Sequence, residues 1–336
     1  VQSRKNVQFR KTTLSLTALS GVVLLGVAAC STPGSSAAGT ESAKSGEITV
    51  VASTSAYGSL VKAIGGDKVT VESIVSKISQ DPHSYEATAQ DRLKVSKAGL
   101  VVVNGGGYDS FMDGMVADAK LDPANVINAV TVSGLQQESA ESPAPSASAA
   151  DDHGHDHDHG SFNEHVWYNF PAMQKVAAQV EQRLSALAPA SAAEFKHNAD
   201  AFTSRLGDYQ QTLEKLTKGS HVDVAVTEPV PLYLLEAAGL HNVTPEEFTS
   251  AVEEGHDVPA SVLDETLKLF SSKKAAFLAY NEQTSGPQTE AVKKAATDAG
   301  APVVSFTETL PDGKDYLSWM SDNVNAVQKA VEKVRG

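Results

Sequence analysis

Residues 190–218 read ASAAEFKHNADAFTSRLGDYQQTLEKLTK, and Phe195, Ala199, Phe202, Leu206, Tyr209, Leu213 and Leu216 recur in it at spacings of three and four with polar residues between. That spacing lays the apolar groups along one stripe of an α-helix. As a single helix the stretch spans about 43 Å, the length of a small domain, so it can act as a rigid strut between two bodies. A second helical pattern, at about 171–188, leads into it.

On both sides of this strut, short β-branched runs alternate with helical patterns, which predicts an α/β architecture. Before it, ITVVAS (48–53), VTVESIV (69–75) and LVVVN (100–104) read as strands, with helices including 60–64 and 90–98. After it, HVDVAVT (221–227), AAFLAY (275–280) and PVVSF (302–306) read as strands, with helices at 232–238, 262–270, 288–299 and 316–334. The expected fold is two α/β lobes, each a mainly parallel sheet flanked by helices, joined by one long helix. The first lobe covers 47–170, a helical segment 171–219, and the second lobe 220–336. Three glycines, 105–107, end the third strand; their spacing fits neither a P-loop nor GxGxxG, so they read as a turn that allows close backbone approach.

Outward from the lobes, the amino-terminal segment places Arg4, Lys5, Arg10 and Lys11 ahead of an apolar stretch at 14–29. That stretch is short for a membrane span, which needs about 20 residues, and 1–29 reads as a secretory signal. The small residues directly before Cys30 resemble a bacterial lipobox, making Cys30 the lipidated residue and 30–46 a flexible tether. Because Cys30 is the only cysteine, the domain beyond it has no disulfide and no thiolate ligand to offer. The 41 acidic against 27 basic residues give a formal net charge of −14, which repels phosphate and argues against a nucleic-acid partner.

From 136 to 160 the chain turns Ser/Ala/Pro/Glu-rich and then reads DDHGHDHDHG at 151–160, with His153, His155, His157 and His159 at every second position. This reads as a long disordered loop that collects metal, since neutral imidazole is the commonest protein ligand for zinc and the interleaved acids concentrate cations. A merely solvated acidic loop is the alternative. A mobile collector needs a fixed site beside it.

Ligands of open α/β sheets come from loops past the carboxyl ends of strands. Four residues there carry suitable chemistry: His83 in DPHSYEATAQD (81–91), His165 in NEHVWYNF (163–170), Glu228 closing HVDVAVTEP and Glu308 closing PVVSFTETLP. His197, His221, His241 and His256 read as structural or solvated, and Glu86, Asp223, Tyr280 and Glu282 are left undecided by their surroundings.

Through these motifs the chain resembles the metal-specific solute-binding lipoproteins of bacterial zinc and manganese ABC importers, the cluster A-I type of binding protein, over nearly everything after Glu47. DPHSYEAT is similar to the family's D-P-H-x-Y/W-E-P-T, with Ala87 at the usual proline, and His165-Val166-Trp167 matches the family's H-V-W after an acidic His-rich insertion. The resemblance implies that His83, His165, Glu228 and Glu308 are the metal ligands, the last at a place commonly held by aspartate. It departs from the family around the second histidine, where Asn163-Glu164 and Asn169-Phe170 replace the usual D-P pairs and an amide at 169 stands where a supporting carboxylate is expected.

Two neutral imidazoles and two carboxylates neutralise a divalent cation, which suits a buried site. Such a set is harder than three imidazoles and one carboxylate and moves preference toward manganese, yet zinc binds these donors more tightly in the Irving–Williams order, and the His-rich run also favours zinc. The expectation is therefore a zinc-binding protein, with manganese as the alternative cargo, delivering its ion to an ABC permease and its ATPase. It would be a monomer held on the outer face of the bacterial cell membrane by acylated Cys30. An enzyme is disfavoured: HExxH is absent, no nucleophilic cysteine remains, and four protein ligands close the position that a catalytic zinc keeps open. A metal-binding surface adhesin would leave the strand-end ligands unexplained. Because imidazole must be neutral to bind metal, affinity is expected to fall below about pH 6.

Overall fold

The structure, a computed structural model, describes residues 47–137, 162–218 and 220–335. Cys30 and the run of histidines at 153–159 lie outside the described residues. The strands form two parallel sheets. In the first, β1 (Ile48–Thr54), β2 (Val69–Val75), β3 (Leu100–Val103) and β4 (Val126–Asn128) stand in the order β2-β1-β3-β4. In the second, β5 (Val222–Val226), β6 (Leu240–Asn242), β7 (Leu278–Asn281) and β8 (Val303–Phe306) repeat that order as β6-β5-β7-β8. Val50 pairs with Val71 on one side and Leu100 on the other; Leu278 pairs with Val303.

Val50, Val51 and Ala52 are inaccessible to solvent, so β1 is covered on both faces, and this is why β1 and its neighbour β3, LVVV, read as apolar runs rather than alternating ones. In each sheet the winding reverses direction between the first and third strands in chain order, β1 and β3 or β5 and β7. That reversal opens a crevice past the carboxyl ends of those strands, where ligands of such sheets bind.

Helices cover the sheets: α1 (Ser55–Gly65), α2 (Ala89–Ser96), α3 (Phe111–Ala119), α4 (Ala129–Ser133), α5 (Phe170–Leu187), α6 (Ala192–Glu214), α7 (Leu232–Ala237), α8 (Glu246–Glu253), α9 (Ala260–Ser271), α10 (Pro287–Asp298) and α11 (Tyr316–Arg335). The strut is α6, which buries Phe195, Ala199, Phe202, Leu206, Tyr209 and Leu213 along one stripe against α5, α1 and α11. Its 23 residues span about 35 Å, less than the full 190–218, because a 3-10 turn at Pro189–Ser191 precedes it and residues 215–218 form a turn. Among the described residues no helix is long and apolar enough to cross a membrane.

One apolar core runs from Val50 and Leu100 through Trp167, Val176 and Phe202 to Val224, Phe277, Phe306 and Trp319. Polar ties cross with it: the Tyr316 hydroxyl donates to the Trp167 carbonyl at 2.6 Å, and the Leu310 amide donates to Ser55 Oγ at 3.0 Å. Separating the sheets would expose this shared core.

The glycine turn after β3 is built on left-handed backbone, with φ of 80°, 69° and 101° at Gly105, Gly106 and Gly107. A Cβ on Gly105 would lie 2.2 Å from Asn128 Nδ2, and Asn128 is held in place because its Oδ1 caps α4 by accepting from the Thr131 amide. Gly105→Ala is expected to lower unfolding stability by about 2 kcal/mol or more, through positive-φ strain and this clash together. Denaturant unfolding measures it; a change below about 0.5 kcal/mol would mean that the turn relaxes freely.

Candidate metal centre

The first histidine is presented by a turn that its own motif builds. Asp81 accepts from the His83 amide at 2.9 Å through Oδ1 and from Ser84 Oγ at 2.7 Å through Oδ2. Downstream, Thr88 and Asp91 form a reciprocal capping box that starts α2, and the Tyr85 hydroxyl donates to Asp91 Oδ2 at 2.9 Å. The segment after β2 is thereby pinned at both ends with His83 between them, half-buried.

His165 is fully buried at the head of a 3-10 turn, Val166–Tyr168. Asn163 Oδ1 accepts from the His165 amide at 3.1 Å and lies 2.7 Å from its Nδ1, while Asn163 Nδ2 donates to the Pro229 carbonyl at 3.0 Å. With Nδ1 turned to an acceptor, Nδ1 carries the proton and the Nε2 lone pair faces inward, the arrangement usual for a metal-bound imidazole. The supporting acceptor is thus the amide at 163. Asn169 serves differently, capping α5 by accepting from the Ala172 amide at 2.9 Å.

Glu308, beyond β8, is 1% exposed and is held from three directions. The Tyr108 hydroxyl donates to its Oε2 at 3.0 Å, Asn281 Nδ2 donates to its Oε1 at 2.8 Å, and its own amide donates to Gln283 Oε1 at 2.7 Å. Ligand atoms of His83, His165 and Glu308 lie within 4.8 Å of one another. Glu228, beyond β5, is also buried, and Asn281 Nδ2 donates to its Oε2 at 3.0 Å, so one amide joins the two carboxylates. Thr284 donates to the other oxygen of Glu228, which is not among the close group of three. The structure therefore brings three of the four candidate residues within mutual reach, although His165 heads a 3-10 turn and does not follow a strand, and links the fourth to Glu308 through Asn281.

Four further groups border the same space without having been singled out in the sequence. Tyr108 stands edge-on to His83 and His165, with ring centroids 4.9 and 5.7 Å apart. Asn281 supplies the shared amide. Glu164 reaches within 3.7 Å of His83 Nδ1, and Glu253, from α8, within 3.8 Å of His165 Nε2. Glu164 and Glu253 also form a close group with His83. Adjacency to His165 marks Glu164 and strand-end position marks Asn281; nothing local marks Glu253, which arrives by packing of α8.

The electrostatics are one-sided. Burial pushes the Glu308 carboxyl up to about 7, against hydrogen bonds from Asn281 and Tyr108 that pull it down. Burial, then repulsion from Glu308, raises Glu164 to about 7; burial, then Glu164 and Glu308, raises Glu253 to about 8. Glu228 is raised well above the carboxylate range by burial and by Glu308. His165 is lowered well below the usual imidazole value, by burial first and His83 second, so it stays neutral. Among the described residues no lysine or arginine forms an ion pair with these four carboxylates, and a multivalent cation is the partner that would relieve them.

Of the other histidines, His256 lies 3.0 Å from Glu254. His221 and His241, expected to be solvated or structural, are exposed, and both contact Asp223. They are neighbours in the folded sheet, which their separation along the chain conceals. Tyr280 donates to Glu290 at 2.6 Å and Ser305 to Glu282 at 2.5 Å, away from the centre.

The same fold and length occur in known proteins. The iron ABC transporter substrate-binding lipoprotein MtsA of Streptococcus pyogenes is 26% identical over 348 residues, covering 96% of this chain and 99% of that protein. The manganese ABC transporter substrate-binding lipoprotein scaA of Streptococcus gordonii is 25% identical over 336 residues, with coverage of 93% and 96%. The solved periplasmic zinc binding protein TroA from Treponema pallidum superposes with a TM-score of 0.66 at 17% identity, covering 85% of this chain and 99% of its own. A family model described as zinc-uptake complex component A, periplasmic, matches residues 50–330, nearly the whole of both sheets and the strut between them; the chain belongs to that family of metal-importer binding proteins.

Proposed function

We propose that this protein binds one divalent transition cation, zinc with manganese as the alternative, through His83, His165, Glu308 and Glu228, and delivers it to an ABC permease driven by its ATPase. The observation that carries this is the convergence of two imidazoles and a carboxylate from three separate segments of the chain, beside a second carboxylate joined to the third ligand by Asn281. Rotation of the Glu228 carboxylate away from Thr284 would complete a four-donor set, charge −2, that neutralises the cargo. Two nitrogen and two oxygen donors are borderline rather than hard, which favours zinc. The relatives are named for iron and for manganese and the structural neighbour for zinc, so the family does not choose among these ions.

In the same reading Cys30 carries the lipid that holds the monomer at the outer membrane face, with 30–46 as its tether. His153, His155, His157 and His159 raise the local supply of metal. Metal analysis of protein isolated from its own host, with competitive titration of zinc against manganese, tests the cargo. Zinc as the main bound metal, and displacement of manganese by equimolar zinc, is expected; manganese retained against zinc would reverse the assignment.

Asn163 offers a second test. Asn163→Ala removes the acceptor at His165 Nδ1 and is expected to weaken metal binding about 10–100-fold, whereas Asn163→Asp, which keeps an acceptor there, restores affinity. Equal affinities for both variants, measured by calorimetric titration, would show that the tautomer is set elsewhere.

A further inference from the structure

At the opposite end of β5 from Glu228, three side chains converge that the proposed transport site does not use. Asp223 pairs in register with His241 of β6, so the two face the same side, and His221, two residues before Asp223, returns to that side by the period of the strand. His221 Nε2 lies 2.6 Å and His241 Nδ1 3.3 Å from the same atom, Asp223 Oδ1. That oxygen is shielded from solvent yet accepts no hydrogen bond of proper angle among the described residues. Its backbone is fixed, because the Asp223 carbonyl accepts from the Ala276 amide at 2.8 Å.

We propose that His221, Asp223 and His241 form a second metal site, specific for a borderline divalent cation of the zinc type and separate from the transport site. Tetrahedral zinc bonds of about 2.0–2.1 Å set donors roughly 3.3 Å apart. His241 and Asp223 already stand at 3.3 Å, and the His221 ring, largely exposed, has room to open from 2.6 Å. Two nitrogens and one oxygen select against hard ions such as Mn2+ and Ca2+, and the exposed side leaves the fourth position to water. The site sits roughly 15 Å along the sheet from Glu228, too far to share an ion with it.

Zinc titration of the full chain against its His221→Ala/His241→Ala variant tests this, since the transport ligands and the His-rich run are common to both. The variant is expected to bind one equivalent fewer, with the tight phase unchanged. Asp223→Asn, which keeps size and leaves both histidines, should lose the same equivalent. Identical isotherms would overturn the site and leave an ion-pair clamp in its place; loss of the tight phase would overturn its independence.

Discussion

His165→Ala is expected to lower the affinity for the proposed cargo ion by about two to three and a half orders of magnitude, the equivalent of roughly 3–5 kcal/mol for removing one partner from a buried charged cluster. His165 is fully buried, its Nδ1 is committed to Asn163, and its Nε2 faces the space shared with His83 and Glu308. Without it the ion keeps one imidazole among carboxylates that repel one another, and water cannot enter freely to replace the nitrogen. His83→Ala is expected to cost less, because His83 is half-buried and solvent can take its place. Competition with a chromophoric chelator reads both. Affinity within fivefold of the parent after His165→Ala would remove this histidine from the centre.

The second large effect is expected on the metal-free protein, whose stability should fall as pH rises from 6.5 to 8 and be restored by zinc. Glu308 and Glu164 titrate near 7 and Glu253 near 8 in the folded chain, all raised above their ordinary value by burial. A carboxyl raised by folding binds its proton more tightly in the native state, so its favourable contribution is complete at low pH and is lost as pH climbs through the folded value. His165, lowered by burial, works the other way, but only as pH falls below its ordinary 6.5, outside this window. Binding through Glu308 needs that carboxylate ionised, so affinity is expected to rise over the same interval, and stabilisation at a thousandfold excess over Kd to reach about 4 kcal/mol. Thermal unfolding with and without zinc at pH 6.5 and 8 measures both trends. A metal-free protein more stable at pH 8 than at 6.5 would contradict the assignment of the buried charges.

This shifts the pH window expected from imidazole chemistry alone. The motifs mark His165 as a candidate donor, but only burial shows that its imidazole is held below its ordinary value and that the neighbouring acids are raised. The strands were most legible where they lie inside a sheet and are buried along their length, as in β1 and β3, whose runs ITVVA and LVVV are largely apolar. The edge strands β4 and β6, three residues each, are too short for any period, and the start signals of α3 and α8, Ser110-x-x-Asp113 and Thr244-x-x-Glu247, are followed by helices of only nine and eight residues. For the same reason Glu253 was invisible, since it reaches the centre only because α8 packs there. Asn281 ends β7, and its value depends on β7 lying between β5 and β8, a fact of sheet order rather than of local sequence. Glutamate at 308 looked one methylene too long for its place; Tyr108, Asn281 and Gln283 hold the longer side chain and its backbone in position.

Crystals grown with zinc, measured on both sides of the zinc absorption edge, give the most direct answer. Anomalous density is expected at one cleft position with imidazole nitrogens of His83 and His165 and carboxylate oxygens of Glu308 and Glu228 at about 2.0–2.2 Å. An ion held instead by His83, Glu164 and Glu253, or no ion within bonding reach of both His165 and Glu308, would contradict it.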